Sequence, residues 1–284
     1  MKNIVWLASY PKSGNTWFRA FLSNLFSQDH QEASINDLGS GPIASSRPLF
    51  DEHVGIPSAD LNSREEGRLR PLVYQRVSDQ AVGPVFMKVH DAYNLNREDQ
   101  PLFPPAATRG VVYLIRNPFD VAISYAHHNA STVDRAIQLL ANEEHYLSPR
   151  NGGLSNQLPQ RLRSWGSHAA SWVDAPQMPV LVVRYEDLKK NPIEEFQRAV
   201  EFLNLGASPE RVKQAVEFSS FDRLKKQEVD KGFAERPMKA ASFFRSGRSG
   251  GWRRELTREQ WQKIRSEHES ALKRFGYWDD SEWL

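Results

Sequence analysis

The chain has 284 residues, 39% of them hydrophobic, enough for a buried core, and sets 37 Lys and Arg against 35 Asp and Glu for a formal net charge of +2, so the chain as a whole does not look like a nucleic-acid coat and any attraction for anions is local. With no cysteine, disulfides, thiolate metal sites and a cysteine nucleophile are excluded as well. The longest apolar runs, such as VVYLI at 111–115, fall far short of the roughly 20 residues that span a bilayer, and MKNIVWLAS reaches a glycine-bearing turn too soon for a signal peptide; the expectation is a soluble cytoplasmic protein with no transmembrane segment.

Four apolar, β-branched segments at 3–8, 84–89, 110–115 and 179–183 predict buried strands. Helical spacing fills the intervals. Trp17, Phe18, Phe21, Leu22 and Leu25 share one helical face, with Arg19 and Ser23 facing away. Ser63 and Glu66 have capping-box spacing ahead of Leu69, Leu72, Val73 and Val77. Leu162, Trp165, Ala169, Trp172 and Val173 mark another helix, as do Ile193, Phe196, Val200 and Leu203. Ser208 and Pro209 read as a cap and first helical residue ahead of Val212 and Val216, and one last helix carries Trp261, Ile264, Leu272 and Phe275. Strands separated by helices call for parallel crossovers, hence an α/β three-layer sandwich with a central parallel sheet. The stretches 30–62 and 145–160, dense in Gly, Pro, Ser and Asn, read as loops, and nothing repeats.

The segment WLASYPKSGNTWFRAF at 6–21 passes from apolar strand through a Pro-Lys-Ser-Gly-Asn-Thr turn straight into an amphipathic helix. In an open parallel sheet, ligands sit beyond the carboxyl ends of strands, where a starting helix offers free N–H groups and a partial positive charge. Gly14 can take backbone angles that other residues resist, Ser13 and Thr16 supply hydroxyls, and Lys12 adds a full charge. The result is a P-loop-like cradle for a phosphate-type group. The Gly-Lys-Ser/Thr of nucleotide-triphosphate P-loops is absent; here the lysine precedes the glycine and reaches a ligand from another side. A plain tight turn with a solvated lysine fits the same residues taken alone.

A second strand end repeats the geometry. In GVVYLIRNPFDVAISYAHH at 110–128 a buried strand ends at Arg116, Asn117 caps and Pro118 starts a helix, with Ser124 about two turns in. Arg116 can grip an anion in a bidentate way, although a helix-capping arginine with Ser124 in solvent fits as well. His90 ends PVFMKVH and is the one histidine at the carboxyl end of a predicted strand, with Lys88 on the same strand face. The pair His127 and His128 invites a metal reading, but adjacent helical residues point different ways, and we take them as acceptor-side or surface residues.

Together, YPKSGNTW at 10–17 and RNPFDVAISY at 116–125 resemble the two motifs that bind 3'-phosphoadenosine 5'-phosphosulfate (PAPS) in the sulfotransferase family. The resemblance extends to SWGSHAASWVDAPQMPVLVVRYEDL at 164–188, to SSFDRLKKQE at 219–228, and to FFRSGRSGGWRREL at 243–256, so it covers nearly the whole chain. It implies a single sulfotransferase domain over 1–284, with 30–80 and 127–163 as acceptor-side insertions and 236–254 as a cofactor lid loop. Lys12, Ser13, Gly14, Asn15, Thr16 and Trp17 are implied to surround the 5'-phosphosulfate, with Asn15 standing where threonine is common. Arg116 and Ser124 are implied to hold the 3'-phosphate, joined from the C-terminal loop by Arg245, Ser246 and Gly247, where Ser246 replaces a usual lysine. Trp17, Tyr185 and Phe221 are implied adenine contacts.

By the same resemblance His90 is the general base, Lys12 steadies the bridging oxygen as 3',5'-diphosphoadenosine (PAP) leaves, and Lys88 touches the sulfuryl oxygens. Ser124 can also hold the lysine back until an acceptor is present. No metal is expected, and the partner is a small-molecule, lipid or glycan acceptor, a hydroxyl before an amine, with no nucleic acid. The dimer motif of animal cytosolic relatives is not recognisable in LTREQWQKIRSEHE at 256–269, so no oligomeric state is assigned. Two rivals fit parts of the pattern: a nucleotide kinase with a degenerate P-loop, and a non-catalytic nucleotide or nucleic-acid binder using the basic segment 236–254, which holds six Lys or Arg and no acid.

Overall fold

The computed structural model describes residues 2–27, 31–39, 41–149, 155–238, 240–245 and 247–278. In chain order the elements are β1 (Ile4–Ser9), α1 (Asn15–Phe26), α2 (Arg47–Val54), a short 3-10 turn (Ser58–Asp60), α3 (Ser63–Gln80), β2 (Val85–Val89), β3 (Thr108–Ile115), α4 (Pro118–His128) and α5 (Val133–Ala141). There follow β4 (Tyr146–Leu147), β5 (Gln160–Arg161), α6 (Trp165–Val173), β6 (Val180–Arg184), α7 (Tyr185–Lys190), α8 (Pro192–Phe202), α9 (Pro209–Phe218), α10 (Phe221–Lys231), α11 (Trp252–Glu255), α12 (Arg258–Glu267) and α13 (Glu269–Arg274).

The four predicted strands form one sheet in the order β2-β1-β3-β6, with helices between β1 and β2 and between β3 and β6 but a helix-free connection at 90–107 between β2 and β3, and the α/β class with a central parallel sheet holds. β1 and β2 run parallel with Leu7 opposite Lys88 and Ala8 opposite Val89. All of β1 is buried, as befits a central strand covered on both faces. β4 and β5 make a separate antiparallel pair.

The chain divides into two compact units, one of Met1–Tyr10, Gly41–Tyr113 and Asn142–Val182, the other of Pro11–Ser40, Leu114–Ala141 and Val183–Leu284. In the first, fully buried Trp6 meets Tyr74 and Phe103 edge-on at 5.1 and 5.0 Å, and its indole N–H donates to Thr108 Oγ1 at 2.8 Å. Burying an aromatic of this size removes about 200 Å² from water, worth up to about 5 kcal/mol. In the second unit, Phe21 of α1 stacks on Phe196 of α8 at 4.0 Å. The Arg211 guanidinium donates to the carbonyls of Asn24, Leu25 and Ser27, satisfying the C-terminal end of α1 from α9. These contacts fix the direction of α1, whose N-terminus opens the candidate site.

Several local expectations shift. The capping box at α3 is Asn62 with Glu65, one residue before the expected pair, and Glu66 is turned inward and buried. Arg19 does not face solvent: it is buried against Glu235 at 2.7 Å. The stretch read as loop at 30–62 contains α2, capped by Ser46 and with proline in its first turn. The last helix is two, α12 and α13, parted at His268, whose φ of −122° leaves the helical range. The Asn117 and Ser208 caps stand as expected, their side chains accepting from Phe119 and Arg211 backbone N–H groups. Among the described residues no helix is long and apolar enough to cross a membrane.

Candidate active site

After Ser9 the chain turns through Lys12, at φ 71°, and Gly14, at φ 101°, into α1. Two left-handed residues bracket Ser13, and the first N–H groups of α1 meet a cap residue with no side chain to accept them. Glycine is required here on two counts. Its φ is unfavourable for any L residue, and an added Cβ would lie 2.8 Å from Cδ2 of Tyr185. Asn15 is buried and Thr16 half-buried on the first helical turn. The Lys12 ammonium lies 3.2 Å from Nδ1 of His128 and 4.2 Å from the centre of the Phe243 ring.

The second strand end supplies Arg116. Its guanidinium donates to the Lys12 carbonyl at 3.2 Å and to the Arg248 carbonyl at 3.1 Å, and stacks 4.5 Å over the Tyr185 ring. Burial pushes the Tyr185 phenol up, and the Arg116 charge partly offsets it. Glu186 braces the turn, accepting from the Asn117 N–H at 3.0 Å and from the Tyr277 hydroxyl at 2.8 Å. Ser124 is half-buried on α4 between buried Ile123 and Tyr125.

Two carboxylates hold the basic segment 236–254, one at its middle and one near its C-terminal end. Glu228 accepts from the backbone N–H groups of Phe243 and Phe244 at 2.6 and 2.9 Å. Asp120 accepts from those of Gly250 and Trp252 at 2.7 and 3.1 Å, and Trp252 stacks on Phe119 at 4.8 Å. Gly247, at φ 57°, lies so close to Phe221 that a Cβ would come within 2.3 Å of the ring. Arg245 is exposed and paired with Glu255 at 3.2 Å, and His127 lies 3.6 Å from the same acid. Ser246 lies outside the described residues. Trp17 meets Tyr185 edge-on at 5.9 Å, and the Lys189 ammonium sits 5.6 Å from the Trp17 ring and 5.8 Å from that of Phe221.

The first unit holds Lys88 and His90 at the carboxyl end of β2. His90 Nδ1 lies 2.9 Å from the Ser9 carbonyl, which can only accept, so the ring proton sits on Nδ1 and Nε2 carries the lone pair. The His90 carbonyl accepts from Nε2 of His168 at 3.0 Å, and Nδ1 of His168 accepts from the Tyr113 hydroxyl at 2.8 Å. Complete burial pushes His168 down to about 4, so this second histidine stays neutral. One residue on, Asp91 and Arg70 form a buried bidentate pair, both contacts at 3.1 Å, and the Asp91 carbonyl accepts from the Trp172 indole at 2.9 Å. Lys88 is half-buried, its carbonyl accepting from the Ala44 N–H at 2.9 Å.

Lys12, Ser13, Gly14, Arg116, Tyr185, Phe221 and Gly247 thus gather in the second unit, whereas Lys88 and His90 belong to the first. Asp120, Glu186, Glu228 and His168 were not singled out from the sequence. Asp120 alone left a signal, an acid in the first turn after Asn-Pro, where it reads as an ordinary helix-start charge.

The donor set suits a nucleotide with two anionic ends. Ser13 Oγ, Trp17 Nε1 and Arg116 Nε are buried without hydrogen-bond partners, three donors in the unit that holds the start of α1. Among the described residues no group of three or more His, Asp or Glu is placed to hold a metal ion.

A parallel α/β sheet whose first strand runs into a lysine-bearing, glycine-capped helix start is the architecture of an anion-binding α/β protein. The sulfotransferase domain model matches residues 2–276, and the chain belongs to that family. It is 27% identical over 274 residues to flavonol 3-sulfotransferase of Flaveria bidentis, covering 92% of this chain and 79% of that one. With cytosolic sulfotransferase 12 of Arabidopsis thaliana it shares 25% identity over 289 residues, 95% and 77% of the two chains. Its fold is similar to that of a mouse sulfotransferase complexed with PAP, at a TM-score of 0.60 and 18% identity over 96% of this chain and 84% of that one. Retinol dehydratase in a complex with retinol and PAP gives a TM-score of 0.60 at 20% identity, covering 100% and 84%.

Proposed function

We propose that this sulfotransferase takes its sulfuryl group from PAPS and delivers it to a hydroxyl of a small-molecule, lipid or glycan acceptor, in the cytoplasm and without nucleic acid as partner. The observation that carries the reading is the buried, unpartnered Ser13 hydroxyl at the glycine-capped start of α1, with Lys12 and Arg116 beside it in the same unit. PAPS, when bound, supplies an activated sulfuryl group on a phosphate leaving oxygen. Ser13, Asn15, Thr16 and the first N–H groups of α1 hold the 5' end, and Lys12 lends its charge to the leaving oxygen. Arg116 and Ser124 hold the 3'-phosphate, with Arg245, Ser246 and Gly247 closing from the lid. Trp17, Tyr185 and Phe221 take the adenine.

On the acceptor side His90 is the general base. Donation from Nδ1 to Ser9 leaves Nε2 to receive the hydroxyl proton, a role worth about 10²- to 10⁴-fold. Lys88 adds positive charge for the sulfuryl oxygens, which matters because such transfers depend on positioning and charge more than on covalent help. The whole chain acts as one sulfotransferase domain, with 30–80 and 127–163 shaping acceptor choice and 236–254 as the lid. Titration calorimetry with PAP in EDTA tests the donor assignment: the wild type binds, and Arg116→Ala binds at least about tenfold more weakly. Binding of ATP that requires magnesium, with no affinity for PAP, would favour the kinase reading instead.

A further inference from the structure

The resemblance assigns Lys12 to the donor and leaves the histidine pair at the end of α4 without a role. The contacts of the second unit give one of that pair a task. Lys12 Nζ lies 3.2 Å from His128 Nδ1, with the Phe243 face 4.2 Å from the ammonium. A lysine ammonium only donates, so Nδ1 accepts and the His128 ring is neutral with its proton on Nε2. His128 stands one helical turn beyond Ser124 on α4, and its ring meets Phe243 edge-on at 6.2 Å. Phe243 itself is fixed through its backbone by Glu228. The ammonium therefore has a built resting place made of an imidazole nitrogen and an aromatic face.

We propose that His128 is the resting partner of Lys12, a positioning residue that competes with the donor's 5' oxygens for the ammonium and so loosens the enzyme's hold on the spent donor. The inference rests on the reading that Lys12 serves the donor. A site whose key cation is already engaged binds its anion with an affinity reduced by the cost of release, a conformational tax that removal of the competitor refunds. His127, its chain neighbour, cannot substitute, because it points toward Glu255 at 3.6 Å. The sign of the effect separates this role from a structural one, since damage to α4 weakens donor binding and loss of a competitor strengthens it.

The test is titration calorimetry with PAP on the full chain. His128→Ala binds PAP about tenfold more tightly than the wild type, the scale of one hydrogen bond to a charged group, and His128→Gln, which keeps an acceptor oxygen, falls between. In a Lys12→Met background the His128→Ala change disappears, because the two side chains act through one contact. PAP binding by His128→Ala and His128→Gln that equals or falls below wild type overturns the inference and leaves the donor assignment standing. Tightening that persists without Lys12 overturns it too. A Lys12→Met enzyme that binds PAP and transfers sulfuryl groups like the wild type overturns the assignment of Lys12, and the inference with it.

Discussion

Replacing His168 by glutamine isolates one buried titration in the support of His90. In the folded protein His168 titrates near 4 because it is completely buried, against an ordinary value of 6.5. Between those values the unfolded chain binds a proton that the folded chain refuses, so stability is full above pH 6.5 and falls as pH drops toward 4. The difference of 2.5 (6.5 minus 4) corresponds to about 3 kcal/mol at about 1.4 kcal/mol per pH unit. Glutamine can donate to the His90 carbonyl and accept from Tyr113 without titrating. Urea unfolding of wild type and His168→Gln across this range is the assay. The wild type is the more stable at pH 7, by about 1 kcal/mol, and its advantage shrinks and reverses on acidification as the proton uptake enters. Parallel stability curves for the two proteins, with a constant gap from neutral to acid, would show that His168 takes up no proton on unfolding in this range.

Gly14→Ala combines a left-handed φ of 101° with a Cβ placed 2.8 Å from the Tyr185 ring, so it costs about 1–2 kcal/mol from the backbone alone and weakens PAP binding; an unchanged melting temperature contradicts this. Asp91→Asn leaves the buried Arg70 guanidinium without its charge partner, and unfolding free energy falls by about 3–5 kcal/mol, whereas a loss below about 1 kcal/mol would show that the pair is not the anchor of the His90 segment. Glu228→Gln removes a charged acceptor from the backbone N–H groups of Phe243 and Phe244, costs about 1–3 kcal/mol locally, and exposes the chain around them to faster limited proteolysis than in wild type; equal cleavage rates would place the anchor elsewhere.

The strands of the sheet were legible because each is a short, nearly unbroken apolar run, the signature of a parallel strand covered on both faces. Asn117 and Ser208 were legible as caps because proline follows each at once. At α3 two neighbouring residues, Asn62 and Ser63, both have an acid three positions on, and only the inward turn of Glu66 decides for Asn62. The break at His268 escaped because apolar spacing reads the face of a helix and is blind to a single residue leaving helical angles. In the candidate site, Lys12, Gly14 and Arg116 were picked out by local spacing within two turns, and the structure places them in one unit, with Arg116 donating to the Lys12 carbonyl. Contacts made over long separations could not: Asp120 meets Gly250 and Trp252 some 130 residues on, Arg19 meets Glu235 across 216, and Lys12 meets His128 across 116. Nothing in their local sequence distinguishes such residues from a solvated charge or a surface histidine.

A His90 that takes the acceptor's proton is needed for transfer and dispensable for holding the donor. PAP affinity by calorimetry and transfer of labelled sulfuryl from PAPS to an acceptor, measured side by side on His90→Ala, separate the two. His90→Ala keeps wild-type PAP affinity and loses transfer by at least about 100-fold. Transfer at the wild-type rate, or a loss of PAP binding that matches the loss of transfer, would rule out that role for His90.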